Sequence, residues 1–209
     1  MERNTPNLDF EKKLLKIVNL PFIALDEAGR GPLAGPVSVS GVLINDTKVL
    51  SSVIGINDSK KLSATKREQV NTQASELIKM KNVMVSNKYI DKNGINTALR
   101  KASLEVIEYL SVNTEVGFIL LDGKHDYIKH PSIKVHTLIK GDSRSLSIAL
   151  ASINAKISRD RKMISYSKIF PQYKFEDNMG YGTKRHIQAL KEFGACKLHR
   201  SSYLGNIIE

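Results

Sequence analysis

A chain of 209 residues, 41% hydrophobic and 25% charged, is long enough to close one well-buried core, and its length is that of one domain. Its lone cysteine, Cys196, excludes an internal disulfide framework and a cysteine-rich zinc site. Lys and Arg outnumber Asp and Glu by 32 to 21, a net charge of +11, which implies a polyanionic partner such as nucleic acid or an anionic membrane surface.

The opening residues, MERNTPNLDFEKKLLKIV, mix charge into their apolar positions and lack a small-residue cleavage site, so they do not read as a signal peptide. No apolar run is long enough to span a bilayer, and a cytoplasmic protein without a membrane role is expected. Phe10–Val18 predicts a short amphipathic helix, and FIAL at Phe22–Leu25 a strand. The alternating VSVSGVLI at Val37–Ile44 predicts a second strand, joined to the first by a Gly- and Pro-rich turn. Ser63 is placed to cap a helix running to about Met80, with Val70, Ala74, Leu77 and Ile78 on one face. Asn82–Ile90 reads as a strand, and the spacing of Ile95, Ala98, Leu99, Ala102, Val106 and Leu110 predicts a helix. Strands over Gly117–Leu121 and Ile133–Ile139 precede a long helix from about Ser145 to Ser167. Thr183–Phe193 predicts a last helix, stopped by Gly194. This order implies an α/β domain with helices on a central sheet that contains at least one hairpin.

Within that map, FIALDEAGRGPLAGP at Phe22–Pro36 sets two carboxylates at a strand end, followed by an arginine between glycines. Its glycines are spaced G-x-G-x-x-x-G and lead into a β-branched run, which excludes a dinucleotide-binding turn; a P-loop signature is absent. Asp122 follows the apolar run Phe118–Leu121, and Asp142 follows Val135–Ile139. Taken alone, Asp122-Gly123 could be a turn and Asp142 a helix cap. If the strands are neighbours, Asp26, Glu27, Asp122 and Asp142 gather at one edge, where their mutual repulsion calls for counter-cations. Oxygen ligands alone suit Mg²⁺ or Mn²⁺ rather than zinc. Two such ions can activate water and stabilise a leaving oxygen while Lys and Arg hold backbone phosphates. The positive excess favours this, since residues 156–200 hold 11 Lys or Arg against 4 Asp or Glu. The residues alone leave nuclease, polymerase, transposase and phosphatase open.

The motifs LDEAGRGPLAGPV, INDSKKLS, LLDG, IKGD, IALASINAKISRD, FPQY, GYGT and LHRSSY occur in one order from Phe22 to Tyr203. Together they resemble type 2 ribonuclease H, the bacterial ribonuclease HII. The resemblance implies a ribonuclease H-like fold, a mixed central sheet flanked by helices, in a single domain. An N-terminal helix over about residues 1–20 and a small helical substrate-binding part over about 170–209 would complete it. It implies that Asp26, Glu27, Asp122 and Asp142 are the catalytic, metal-binding acids, served by Mg²⁺ or Mn²⁺, with two ions during catalysis. Gly29, Arg30 and Gly31 match the loop that reads the 2′-hydroxyl at an RNA–DNA junction. Tyr181 matches the tyrosine that packs on the deoxyribose, and Lys60 a phosphate-contacting lysine. The implied reaction is cleavage 5′ to ribonucleotides in RNA–DNA hybrids or in duplex DNA, leaving 3′-hydroxyl and 5′-phosphate ends, by a monomer. The alternatives are a non-catalytic nucleic-acid binder and the type 3 enzyme, which is expected to lack the Gly-Arg-Gly loop and to carry an added N-terminal domain.

Lys156, Arg159 and Asp160 are expected to form an ion-pair set along their helix, and the histidines to serve the core, the surface or phosphate rather than a metal. His199 and Arg200 could touch phosphate or brace the C-terminal segment. The sequence departs from the family pattern at Asn178 and Met179, where histidine and lysine are common, which predicts one fewer positive contact near Tyr181. Leu150 and Asn154 also depart and are expected to affect helix packing alone. With the last motif so near Glu209, a longer C-terminal arm and a clamp-binding tail are expected to be missing.

Overall fold

The computed structural model describes residues 5–18 and 20–207. Five strands, β1 Phe22–Ala28, β2 Val37–Ile44, β3 Met80–Val85, β4 Phe118–Asp122 and β5 Lys134–Leu138, form one sheet in the order β3-β2-β1-β4-β5. The β1–β2 and β2–β3 pairs are antiparallel, whereas β1–β4 and β4–β5 are parallel, so the sheet is mixed. Around it run α1 Asp9–Leu15, α2 Thr47–Ser52, α3 Ala64–Leu77, α4 Asn87–Asn93, α5 Ile95–Ser111 and α6 Leu146–Ser167. The chain continues through α7 Phe175–Asn178, α8 Lys184–Phe193 and α9 Ser201–Leu204.

Side chains alternate across a strand, so each face of the central strands supplies its own core. Phe22, Ala24, Phe118 and Leu120 face α6 and α3, and the Phe22 and Phe118 rings stack 4.8 Å apart. Ile23, Leu25, Ile119 and Leu121 face α5, through Leu99, Val106 and Leu110. Each of the buried Phe, Ile, Leu and Val side chains contributes about 1.5–3 kcal/mol of hydrophobic stabilisation. A third cluster joins Tyr173, Phe175, Leu190 and Leu198 of the C-terminal part to Met163 of α6 and to Leu33-Ala34 of the β1–β2 connection. It seats the C-terminal helices beside the open end of β1.

The hairpin strand over Val37–Ile44 has the predicted bounds, and Ser63 caps its helix as expected by accepting the Lys66 N–H. The helices expected from Ser145 and Thr183 are capped by those residues, which accept the Ile148 and His186 N–H groups, so Asp142 is not the cap of the long helix. Gly194 closes α8 with φ +71°. The strand expected over Asn82–Ile90 is corrected: β3 ends at Val85, and Ser86 accepts the Tyr89 N–H at 3.3 Å to start α4. The cap dominates because Tyr89 and Ile90 then reach the α5 core together. The first helix is shorter than expected, and α2, capped by Asp46, is not among the helices predicted from the sequence. The first strand continues past Leu25 through both carboxylates to Ala28.

Near the site, α1 acts as a brace. Buried Glu11 accepts bonds at its Oε1 from Ser145 Oγ (2.6 Å), Ser147 Oγ (2.8 Å) and the Ser147 N–H (3.1 Å), satisfying the start of α6. That start lies directly after Asp142.

Candidate active site

The parallel pairing of β1 with β4 matches Leu25 to Leu121, so Asp26 and Asp122 are the next residues on adjacent strands. Asp122 is in turn paired with Leu138 at the end of β5, and the chain turns there through Gly141 into Asp142. The four predicted carboxylates therefore line one cleft of about 270 Å³, together with Lys60, Gly29, Arg30, Gly31 and Tyr181. Every residue the sequence singled out for the site is there.

The IKGD turn is shaped by close approach. Lys140 takes a left-handed conformation (φ +56°), and the Gly141 N–H donates to Asp122 Oδ1 at 2.6 Å. A Cβ on Gly141 would lie 2.4 Å from Ile148 Cδ1 and 3.0 Å from Asp122 Oδ1, so any side chain there would push the acid aside. Asp26 is buried and accepts the Glu27 N–H at 2.7 Å. Glu27 accepts from Tyr127 Oη at 3.2 Å and pairs with Arg30 at 3.5 Å, while Asp142 is bound by Lys60 Nζ at 3.0 Å.

Burial holds the Asp26 carboxyl well above the usual range, and the charges of Glu27 and Asp122 add to it. Burial also raises Glu27, against the opposing charge of Arg30 and with that of Asp122. Asp122 is raised by burial, against the Gly141 N–H and with the charge of Asp142. Lys60 is raised chiefly by its bond to Asp142. The cluster is thus short of positive charge. Among the described residues no three Asp, Glu, His or Cys side chains already converge as ligands; each carboxylate is engaged by a local donor instead. An all-oxygen donor set with unrelieved repulsion fits a hard divalent cation.

Tyr127, for which the sequence held no signal, is expected to matter for that charge balance. Its hydroxyl stabilises ionised Glu27, so Tyr127→Phe should raise the Glu27 pKa further. We expect Mn²⁺ affinity at pH 6 to fall by about threefold, with little change at pH 8, by calorimetric titration. Equal affinities for both proteins at pH 6 would remove Tyr127 from the site.

The wall opposite the acids is built on carbonyl groups. Gly29 has φ +91°, and a Cβ there would sit 2.0 Å from Arg159 Nε, so only glycine lets the loop pass over that side chain. Arg200 donates to the carbonyls of Gly29 (2.6 Å), Arg30 (3.0 Å) and Gly35 (3.1 Å). Arg159 donates to those of Pro36 (2.9 Å), Ala34 (3.1 Å) and Met179 (2.9 Å). Both arginines are fully buried, and the planar forks tie the loop at five carbonyls and, through Met179, fasten it to the segment that carries Tyr181. The expected Lys156–Arg159–Asp160 ion-pair set is therefore corrected: Lys156 pairs with Asp160 at 2.9 Å and Arg67 lies 3.7 Å away, but Arg159 turns to the loop. Arg200 braces, as one of its two expected roles. Arg30 instead reaches outward to Asn96 Oδ1 at 2.9 Å.

Tyr181 stands half-exposed at the cleft mouth, 5.9 Å from the Arg159 guanidinium. Asn178, where a missing positive contact was expected, is buried; it donates to Tyr173 O and accepts the Gly180 N–H, both at 2.7 Å. It shapes the turn that aims Tyr181, and its side chain is not on the binding face. Asn154 joins Ser40 of β2 to Asn71 of α3 by hydrogen bonds of 2.7 Å each, a packing role.

A family model described as Ribonuclease HII matches residues 23–205. Curated relatives named Ribonuclease HII include those of Caldicellulosiruptor bescii, 41% identical over 96% of this chain and 94% of the relative, and Ruminiclostridium cellulolyticum, 40% identical over 100% and 80%. Among solved structures, the PCNA:RNase HII complex from Archaeoglobus fulgidus superposes with a TM-score of 0.76 at 24% identity, over 90% of this chain and 96% of that one. The ribonuclease H2 from Pyrococcus horikoshii superposes at 0.73 and 21%, over 90% and 97%. At those identities the two structures speak for the fold, a ribonuclease H-like mixed sheet.

Proposed function

We infer the reaction from one premise: the chain belongs to the ribonuclease HII family. It is an endoribonuclease of the ribonuclease H type that acts on RNA–DNA hybrids and depends on a divalent metal. Our reading of its residues is that Asp26, Glu27, Asp122 and Asp142 hold Mg²⁺ or Mn²⁺, two ions during catalysis, in a single domain working as a cytoplasmic monomer. The observation that carries it is the cleft where these four acids, with Asp26, Glu27 and Asp122 raised in pKa by burial and by neighbouring carboxylates, face the Gly29–Gly31 loop and Tyr181.

When bound, the cations would supply an activated water and charge stabilisation at the phosphorus. The chain's own residues hold and select the strand. Carbonyls and N–H groups of Gly29-Arg30-Gly31 can approach a ribose closely, and the 2′-hydroxyl is the group that separates RNA from DNA there. The Tyr181 ring packs on the neighbouring deoxyribose, where an added hydroxyl would be left unpaired. Lys60, on the cleft rim with its side chain 78% exposed, is free to swing from Asp142 to a phosphate once a cation neutralises that acid. Among the described residues no helix is long and apolar enough to cross a membrane.

A DNA duplex carrying one ribonucleotide tests the reading. It is expected to be nicked 5′ to that residue in Mg²⁺ or Mn²⁺, leaving 3′-hydroxyl and 5′-phosphate ends, and to stay whole in EDTA. Duplex binding without a nick in either metal would favour a non-catalytic binder.

A further inference from the structure

His186 on α8 and His199 in the LHRSSY segment are both buried, and their Nε2 atoms lie 3.0 Å apart. One of the two nitrogens must donate, and the outer contacts decide which. His199 Nδ1 has two neighbours, the Cys196 backbone N–H at 2.9 Å and the Cys196 carbonyl oxygen at 3.3 Å. The amide can only donate and is nearer, and the carbonyl already accepts the His199 backbone N–H at 3.0 Å, so Nδ1 is unprotonated and the His199 proton sits on Nε2. At the far end, His186 Nδ1 lies 2.9 Å from the Tyr181 carbonyl oxygen, which can only accept, so His186 carries its proton on Nδ1. The rings are opposite tautomers, and donation runs one way: Cys196 N–H to His199, His199 to His186, His186 to Tyr181 O.

Burial among aromatic rings, away from water and, among the described residues, from any carboxylate, favours uncharged imidazoles. Tyr173 lies 4.7 Å from His199 and Phe175 5.5 Å from His186, centroid to centroid. Burial lowers His186 below its ordinary value and, with the neighbouring ring, lowers His199 to about 4. A second proton between the rings would set N–H against N–H and break the chain of bonds.

We propose that His199 and His186 are positioning residues for Tyr181, setting how selectively the enzyme cuts at a ribonucleotide–deoxyribonucleotide junction. The geometry ties both walls of the cleft to consecutive residues. Arg200 grips the carbonyls of Gly29 and Arg30, while His199, through His186, grips that of Tyr181. The same segment is joined to the loop between the walls by the Arg200 N–H to Leu33 O (2.7 Å), and the Leu33 N–H donates to Gly180 O (2.8 Å). The width between the sugar-reading loop and the Tyr181 ring is thereby set by Leu198–Arg200, outside the cleft. This proposal rests on the reading of Tyr181 given above.

The tautomers are tested first, by long-range ¹H–¹⁵N correlation NMR on the full chain at pH 7. We expect Nε2–H on His199 and Nδ1–H on His186; the same tautomer on both rings, or a doubly protonated ring, overturns the relay. The function is tested by the ratio of kcat/KM on a single-ribonucleotide duplex to kcat/KM on a uniform RNA–DNA hybrid, for His199→Leu, His199→Gln and Tyr181→Ala. His199→Leu has no donor for His186 and should lower the ratio about tenfold, whereas His199→Gln keeps an amide donor and should stay within about threefold of wild type. Should His199→Leu not fold, His186→Leu against His186→Asn makes the same comparison, because the Asn amide can still reach Tyr181 O. If the leucine variants fold and keep the wild-type ratio while Tyr181→Ala loses it, the positioning role is overturned and the reading of Tyr181 stands. If Tyr181→Ala keeps the ratio, both fall.

Discussion

Asp122→Asn is expected to lower cleavage by at least about 1,000-fold, equivalent to about 4 kcal/mol at the transition state, while duplex affinity changes little. Asparagine keeps the acceptor for the Gly141 N–H but removes a charge from the cluster, so the turn survives and cation binding does not. Full activity in this variant would sink the metal mechanism. The same substitution should stabilise the metal-free protein. Asp26, Glu27 and Asp122 have folded-state pKa values above their ordinary ones, so their ionisation costs stability as pH rises from the ordinary carboxylate range through the raised values. Removing one charge relieves part of that cost. In EDTA at pH 7.5 we expect the melting temperature of Asp122→Asn to exceed wild type by about 2–4 °C, as for a gain of about 1 kcal/mol, with a smaller difference at pH 5. His199 acts in the opposite sense, its contribution being full above 6.5 and lost as pH falls towards about 4, but it is common to both proteins and cancels in the comparison.

Arg200→Met should be the most damaging change outside the acids. The methionine fills part of the volume but leaves the carbonyls of Gly29 and Gly35 without the arginine donor that serves them, and that of Arg30 with the Tyr203 hydroxyl alone, at 3.2 Å. At about 1–3 kcal/mol for each buried group left unpaired, we expect a loss of about 3 kcal/mol, or about 6–12 °C in melting temperature. Arg200→Lys supplies one point donor in place of a fork and should recover less than half of this. Cleavage at single ribonucleotides should fall in both variants, since the loop they release is the one beside the acids. A methionine variant within about 0.5 kcal/mol of wild type in chemical denaturation would show that the loop holds its shape without the arginine.

Much of the site is legible in the sequence because its signals are local. An apolar run leading into an acid marks the C-terminal part of a strand, and Asp26, Glu27 and Asp122 all stand in that context. The helix cap at Ser63 and the helix starts near Ser145 and Thr183 are likewise readable, since a cap is a bond to an N–H three residues on; the long helix is capped by Ser145 rather than by Asp142. Where two local signals competed, as at Ser86, alternation suggested a longer strand and the cap dominated because burial rewarded the helix.

By itself, then, the sequence determined the element order, the oxygen-only chemistry of four acids and the glycines flanking Arg30, all set by residue type and short-range spacing. Only the tertiary structure decided which groups meet: that Asp26 and Asp122 are neighbours, that Tyr127 serves Glu27, that Arg159 and Arg200 bind carbonyls rather than carboxylates, and that two histidines link Cys196 to Tyr181. Those pairings join positions far apart along the chain through backbone oxygens, which every residue carries alike, so no pattern of side chains announces them.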